Sequence, residues 1–404
     1  MPLSINFSQS ARRFSFILLL IFIGLAHFFV DTMLGIWPIY KSLAQLDMAK
    51  AGLIVAMGAF IGEGSQVLFG AWSDRGYRKA LIILGLIFSM GSAFLAYSSD
   101  YGVLFALYLM TCIGSGCFHP CAASLVSSLV PLQRGLLMTI FAAAGSLGLA
   151  TSQMTFTYLH VLLEGQMYLL VFPALGLAIA LACYCFPQNA RQMPEQSKSH
   201  RATFKDFVAF FKNRSLRLLY VSQVANQSIL WGMVFILPDA LKILGHTDWI
   251  CYGGGHFCFI FGAACMMIPG GYLADLYSAR QVMLYGGIIS CVAFYFILFS
   301  AGISVNLVLA TLFILGATLA LMNPLAVSMG TRMEPDRSGA VSAFLMGMVW
   351  CVSEALGPGG VGVMSSLFQD DAPLKALAVL GSLFLVQIYA TSCLPKRVPT
   401  AQTV

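Results

Sequence analysis

His27 and Asp31 stand four residues apart in the apolar run "FIGLAHFFVDTML", so on a helix they share one face. That spacing joins a carboxylate to an imidazole one turn away. A free carboxyl titrates near pH ~4, and burial and a neighbouring imidazolium act on it in opposite senses. The pair would then titrate as a unit and pass a proton between two coupled groups. His119, in "GCFHPCAA", is another ionisable group in apolar surroundings. Standing before a proline, it could instead tie up a freed carbonyl. Glu63 and Glu354 are further acids in apolar runs, either proton carriers or gate partners held by hydrogen bonds. Gln223, Asn226, Gln227 and Asn323 add amides, which line a cavity or act as glue between helices. His256, in "GGGHFCF", reads as a packed helix residue beside small glycines.

The elements that position these groups follow from composition. Only 9% of the 404 residues are charged, against ~25% in a typical soluble domain. Mean hydropathy is +0.84, with 31 Phe and 20 Met. So few charges cannot cover a soluble fold of this size. Apolar stretches of ~20 residues recur along the chain, enough to cross a bilayer as helix. Twelve spans are expected at residues 14–40, 51–72, 80–98, 102–127, 136–160, 166–186, 216–241, 249–274, 281–301, 305–329, 339–367 and 374–394. The first is too long for a signal-peptide core and has no small-x-small exit site, so no cleaved leader is expected. The eleven cysteines form no C-x-x-C pair and read as small buried hydrophobes.

With the N-terminus inside, 18 of the 22 Lys and Arg fall on cytoplasmic segments, leaving Lys41, Lys50, Lys242 and Lys375 outside. The positive-inside rule then places both termini in the cytoplasm of a bacterial-type cell, the chain lying in its inner membrane. The net charge of +6 marks orientation and contact with anionic lipid, not nucleic acid.

The longest polar stretch, Gln188 to Arg217, divides six spans from six. It yields an N-terminal bundle (1–187), a linker (188–215) and a C-terminal bundle (216–404). Phe204, Phe207, Val208 and Phe211 recur at helical spacing beside Lys205, Lys212 and Arg214, which predicts an amphipathic helix on the inner membrane surface. A disordered tether is the alternative. The halves also repeat. "GAWSDRGYRKA" from Gly70 matches "GYLADLYSARQ" from Gly271 at an offset of 201, pairing Asp74 with Asp275 and Lys79 with Arg280. Pro38 pairs with Pro238; at an offset of 204, His119-Pro120 pairs with Asn323-Pro324, Pro131 with Pro335 and Gly135 with Gly339. Ordered matches at near-constant offset are an internal repeat, and two six-helix halves about an axis along the membrane normal is a known transporter plan.

On these residues the chain resembles the major facilitator superfamily. Gly70, Asp74, Arg75, Arg78 and Lys79 look like that family's loop signature after the second span, with a degenerate copy at Asp275 and Arg280. More narrowly it resembles the fosmidomycin-resistance branch, through His27 and Asp31, through Gly70, Trp72 and Asp74, and through Phe118, His119 and Pro120. It departs at Cys121, where that branch has a glutamate, and at Val67, where it has a proline. The resemblance implies an all-α polytopic fold of two six-helix bundles, with spans 1, 4, 7 and 10 around a cavity. It also implies that Asp74 meets the start of span 11 when the inner gate is shut. A carboxylate at a helix N-terminus is stabilised by ~0.3–2 kcal/mol, so the elbow is expected to be a gating latch, with Asp275 facing the start of span 5.

The expected function is secondary transport of a small molecule by alternating access. Drug–proton antiport is implied by the branch, and proton-coupled import of a metabolite is the alternative. No Arg or Lys falls mid-span, so a dianion would lack its buried cation. That favours a neutral, zwitterionic, cationic or weakly anionic substrate, and counts against a phosphonate such as fosmidomycin itself. An intramembrane enzyme with His27, Asp31 and His119 on a metal is the rival reading. No H-E-x-x-H, G-x-S-x-G or nucleotide loop accompanies them. No catalytic residues, metal site or cofactor are therefore expected beyond the proton gradient, and the chain is expected to act as a monomer.

Overall fold

The computed structural model describes residues 9–129, 134–162, 168–185 and 204–396. With no water in the hydrocarbon to satisfy backbone groups, apolar runs close their own hydrogen bonds as helix, and the described residues contain no strand. Among the described residues, eleven helices are long and apolar enough to cross a membrane. The sixth expected span is the helix Tyr168–Cys185, apolar but shorter over its described side chains. We number the twelve α1 to α12. In the first half these are α1 (Ile17–Leu43), α2 (Met48–Trp72), α3 (Arg75–Tyr97), α4 (Tyr101–Leu129), α5 (Arg134–Leu162) and α6 (Tyr168–Cys185). In the second they are α7 (Arg214–Ile243), α8 (Ile250–Leu276), α9 (Ala279–Leu298), α10 (Val305–Met333), α11 (Pro335–Ser365) and α12 (Ala372–Ser392). Large apolar side chains such as Phe60 (68% exposed) and Ile268 (70%) cover the outside, the surface a bilayer would solvate.

Several spans are bent, each for a local reason. α1 breaks at Gly35, where a Cβ would strike Ser152 of α5. α10 breaks at Leu321, just ahead of Asn323-Pro324. α11 takes a π turn at Ala355–Gly359 around Pro358. α2 is not straight. It breaks at Ser65, and a π turn at Ser73–Tyr77 passes through Gly76 at φ 97°. Only glycine adopts that backbone cheaply.

Each half packs on its own terms, α1 against α5 and α2 against α4 in the first, α8 against α10 in the second. Between halves, α2 meets α11 and α5 meets α8, the pairings a two-fold pseudo-axis demands. Small residues let α2 and α11 touch backbone to backbone: a Cβ on Gly52 would lie 2.6 Å from the Pro358 carbonyl oxygen, and one on Gly359 2.9 Å from Ala56. These contacts lie on the side away from the linker. On the linker side, Gln66–Trp72, Met322–Met333 and Ser338–Ala343 pack within their own halves. The molecule is closed at one side and open at the other.

The linker helix, Phe204–Lys212, corrects an expectation. Protein covers its apolar face at Phe207, Phe210 and Phe211, while Val208 stays exposed. Phe207, Phe210 and Phe211 surround Phe344 of α11 at ring distances of 6.2, 5.5 and 5.0 Å, and the Arg337 guanidinium sits 5.3 Å over Phe210. The cause is reach. Asn213 caps α7 at once, accepting from the amides of Ser215 and Leu216, so the short helix folds straight back onto α7 and α11.

Candidate functional site

Three helices bring the first-half ionisable groups together. α1 presents His27 and Asp31 on one face, α4 presents His119 and Ser115 one turn apart, and α5 lies across them with Gly145. His27 Nε2 lies 3.1 Å from His119 Nε2 and 3.4 Å from Asp31 Oδ2. His119 Nε2 lies 3.2 Å from Asp31 Oδ1. The far ring nitrogens are spoken for: His27 Nδ1 is 2.7 Å from the Phe141 carbonyl, and His119 Nδ1 is 3.0 Å from the Ser115 carbonyl. A carbonyl oxygen only accepts, so each Nδ1 carries its hydrogen and donates it. In neutral rings both Nε2 atoms would then hold bare lone pairs, aimed at each other and at a carboxylate. Such convergence requires a cation between them, at the least one shared proton.

The string continues. Ser115 Oγ is 3.0 Å from His119 Nδ1 and donates to Glu63 Oε1 at 3.3 Å, while Gln66 Nε2 donates to Glu63 Oε2. Glu354 of α11 interacts electrostatically with Glu63 across the boundary between halves. Phe141 stacks on His27 at 4.0 Å and Phe118 flanks it at 5.9 Å, so one side of the cluster is dry. The other side is wet: the side chains of His119 and Asp31 are 24% and 17% exposed.

The second-half amides behave differently. Gln223, fully buried, donates to Asn323 Oδ1 at 2.9 Å, tying α7 to α10. Asn226 donates to the Leu319 carbonyl at 3.0 Å, beside the break in α10. Gln227 is buried as well. Gln223 and Asn226 tie helices together, and Asn323, which accepts from Gln223, is half-buried.

Of the latch residues, the Asp74 side chain lies outside the described residues, and Gly70 approaches Pro120 with room for a Cβ at 3.8 Å. Arg75 is exposed, Arg78 donates to Ser73 Oγ at 3.2 Å and Lys79 sits 4.5 Å over Tyr184, all within the first half. Asp275 is exposed and has no ion pair among the described residues, and Arg280 donates to the Ser392 carbonyl of α12. Ser338 and Gly339, where α11 starts, are exposed and carry no capping side chain among the described residues.

At the closed side stand residues that sequence reasoning did not join. Lys41, 1% exposed, pairs with Asp239 across the halves. Ser42 donates to the same carboxylate at 2.8 Å, and Phe235 lies 4.7 Å from the Lys41 ammonium. His256 is packed in α8, 1% exposed, and its Nε2 donates to the Leu149 carbonyl of α5 at 2.8 Å. A signal for the ion pair existed in the repeat, since Lys41 and Asp239 flank the matched prolines Pro38 and Pro238 with opposite charge. A separate cavity of about 340 Å³ between α8, α9 and α10 is lined by Leu273, Tyr285 and Leu321, faces outward and has no ionisable cluster.

A sequence model of the Major Facilitator Superfamily matches residues 16–358 and 252–403. The inner membrane transport protein YdhP of Escherichia coli K12 is 27% identical over 104 residues, a match spanning 25% of this chain and 26% of that relative. Among solved structures, the nucleoside transporter NupG superimposes with TM-score 0.77 at 13% identity, over 94% of this chain and 98% of that one. A bacterial homologue of the human lysosomal transporter Spinster, inward-facing and unoccupied, gives 0.69 at 15% identity, over 95% and 94%. The human organic anion transporter MFSD10 gives 0.66 at 18%, over 93% and 99%.

Proposed function

Since the chain belongs to the major facilitator superfamily, we propose that it moves a small molecule by alternating access, driven by protons. One observation carries this reading: the continuous string from Asp31 and His27 through His119 and Ser115 to Glu63, wetted from the space between the halves. Groups that hold a proton between them, and whose hydration changes as the molecule opens to either side, are what exchange against a gradient needs. Lys41 is spent on Asp239, so the cavity has no free buried cation among the described residues for a dianion. A neutral, zwitterionic or cationic substrate fits best. Export is the favoured direction, supported by the resemblance to the fosmidomycin-resistance branch at His27, Asp31, Trp72 and Phe118–Pro120. The basic linker side is then the cytoplasmic face of an inner membrane, and this is an inward-open state.

Asp31→Asn, reconstituted in proteoliposomes, should abolish gradient-driven accumulation while leaving substrate binding and downhill exchange measurable. His27→Gln should shift the pH optimum with a smaller loss. Uphill transport with normal pH dependence in Asp31→Asn would sink the assignment. The sign of the substrate-induced pH change in the wild type distinguishes antiport from symport.

A further inference from the structure

We propose that His27, Asp31 and His119 also form a binding site for a divalent transition-metal ion of the zinc class. A tetrahedral ion with bonds of ~2.0–2.1 Å to imidazole nitrogen and carboxylate oxygen holds its ligand atoms roughly 3.3 Å apart. The three separations here are 3.1, 3.2 and 3.4 Å. The ligand atoms already lie at the corners of one face of such a tetrahedron.

Three further features fit. Both imidazoles donate their Nδ1 hydrogens to backbone carbonyls, of Phe141 and Ser115, the outer contact that turns a histidine's Nε2 lone pair toward a metal. Two imidazoles and a carboxylate suit zinc, copper, nickel or iron, whereas calcium and magnesium prefer oxygen donors throughout. The side chains of His119 and Asp31 are 24% and 17% exposed, so water can reach the ligand set and complete the shell. Glu63, one hydroxyl beyond His119, adds a second negative group nearby. All three ligands belong to the first half, so the ion would neither bridge nor lock the halves. It would take the place of the shared proton. The site rests on geometry and stands or falls apart from any transport reading.

The test uses the purified full chain, stripped with chelator. Zn²⁺ is titrated by calorimetry and Co²⁺ by visible absorption, which reports tetrahedral coordination directly. One ion per chain is expected, with the Zn²⁺ absorption edge showing two imidazoles. Asp31→Asn and His119→Gln should each weaken binding at least ~100-fold, beyond the ~10–100-fold typical of losing an outer-shell contact. Ser115→Ala keeps the backbone carbonyl on His119 Nδ1 and removes only the hydroxyl between His119 and Glu63. It should cost less than ~10-fold, and His246→Gln and His256→Gln should cost nothing. His119→Cys keeps a ligand atom and should retain the ion, which separates loss of the site from loss of the fold. Absence of binding to the wild type, or binding unchanged in both Asp31→Asn and His119→Gln, overturns the proposal.

Discussion

Gly145 faces His27 and Asp31 from α5, and a Cβ built there would run into His27 Nε2 and Asp31 Oδ2. A hydrogen in place of a methyl is what lets α1 settle with both polar groups against α5. Gly145→Ala should therefore cost ~1–3 kcal/mol by overpacking, lower the thermal unfolding midpoint and stop gradient-driven transport. Gly24→Ala, whose Cβ would sit an ordinary 3.7 Å from Ala144, is the control and should do neither. If both variants transport alike, the cluster is not confined from that side. At this scale the helical spacing of His27 and Asp31 was readable, and His119 could be picked out as an ionisable residue in an apolar run. Their partners were not. Ser115 is one of many serines, Glu63 lies 52 residues before it, and nothing in a local window marks Gly145 among 38 glycines.

Helices were legible as apolar runs of spanning length, and the bends at Pro358 and before Pro324 follow from prolines visible in the sequence. The break at Gly35 is set by packing on Ser152 and carries no comparable mark, while that at Ser65 falls on a Gly-Ser pair. The linker helix is the instructive miss. Its period of aromatic residues announces an apolar face, but periodicity cannot say whether lipid or protein will cover it. Here Phe210 is 1% exposed and wedged against Phe344. Phe210→Ala should cost ~3–5 kcal/mol, the range for emptying a buried aromatic site. Thermal unfolding of the second half in detergent would register it. Removing residues 193–199, which lie outside the described residues, should leave that midpoint unmoved. Equal effects would make the helix a plain tether.

Across the whole molecule, the internal repeat foretold two halves and their pseudo-symmetric faces, but not the conformation in which they meet. That depends on contacts between residues far apart in the chain, among them the ion pair Lys41–Asp239, 198 residues apart. Removing one partner leaves the other half-desolvated and uncompensated, at up to ~3–5 kcal/mol. Lys41→Ala and Asp239→Ala should each widen the closed side, seen as longer spin-label distances between the halves. The swap Lys41→Asp with Asp239→Lys should bring them back, and no recovery would mean the pair is incidental. The glycine contact of α2 with α11 then has a mechanical consequence. With no side chain keyed into it at Gly52 or Gly359, it would serve as a fulcrum for the proposed alternation. From Gly52 to Trp72 the helix, bent at Ser65, spans at most roughly 30 Å at ~1.5 Å per residue. On a lever arm of that length, a tilt of roughly 10° swings the far end by about 5 Å, while atoms at the fulcrum hardly move. On the alternating-access reading proposed above, slight rocking where the halves touch would thereby be geared up into a wide mouth at the opposite end.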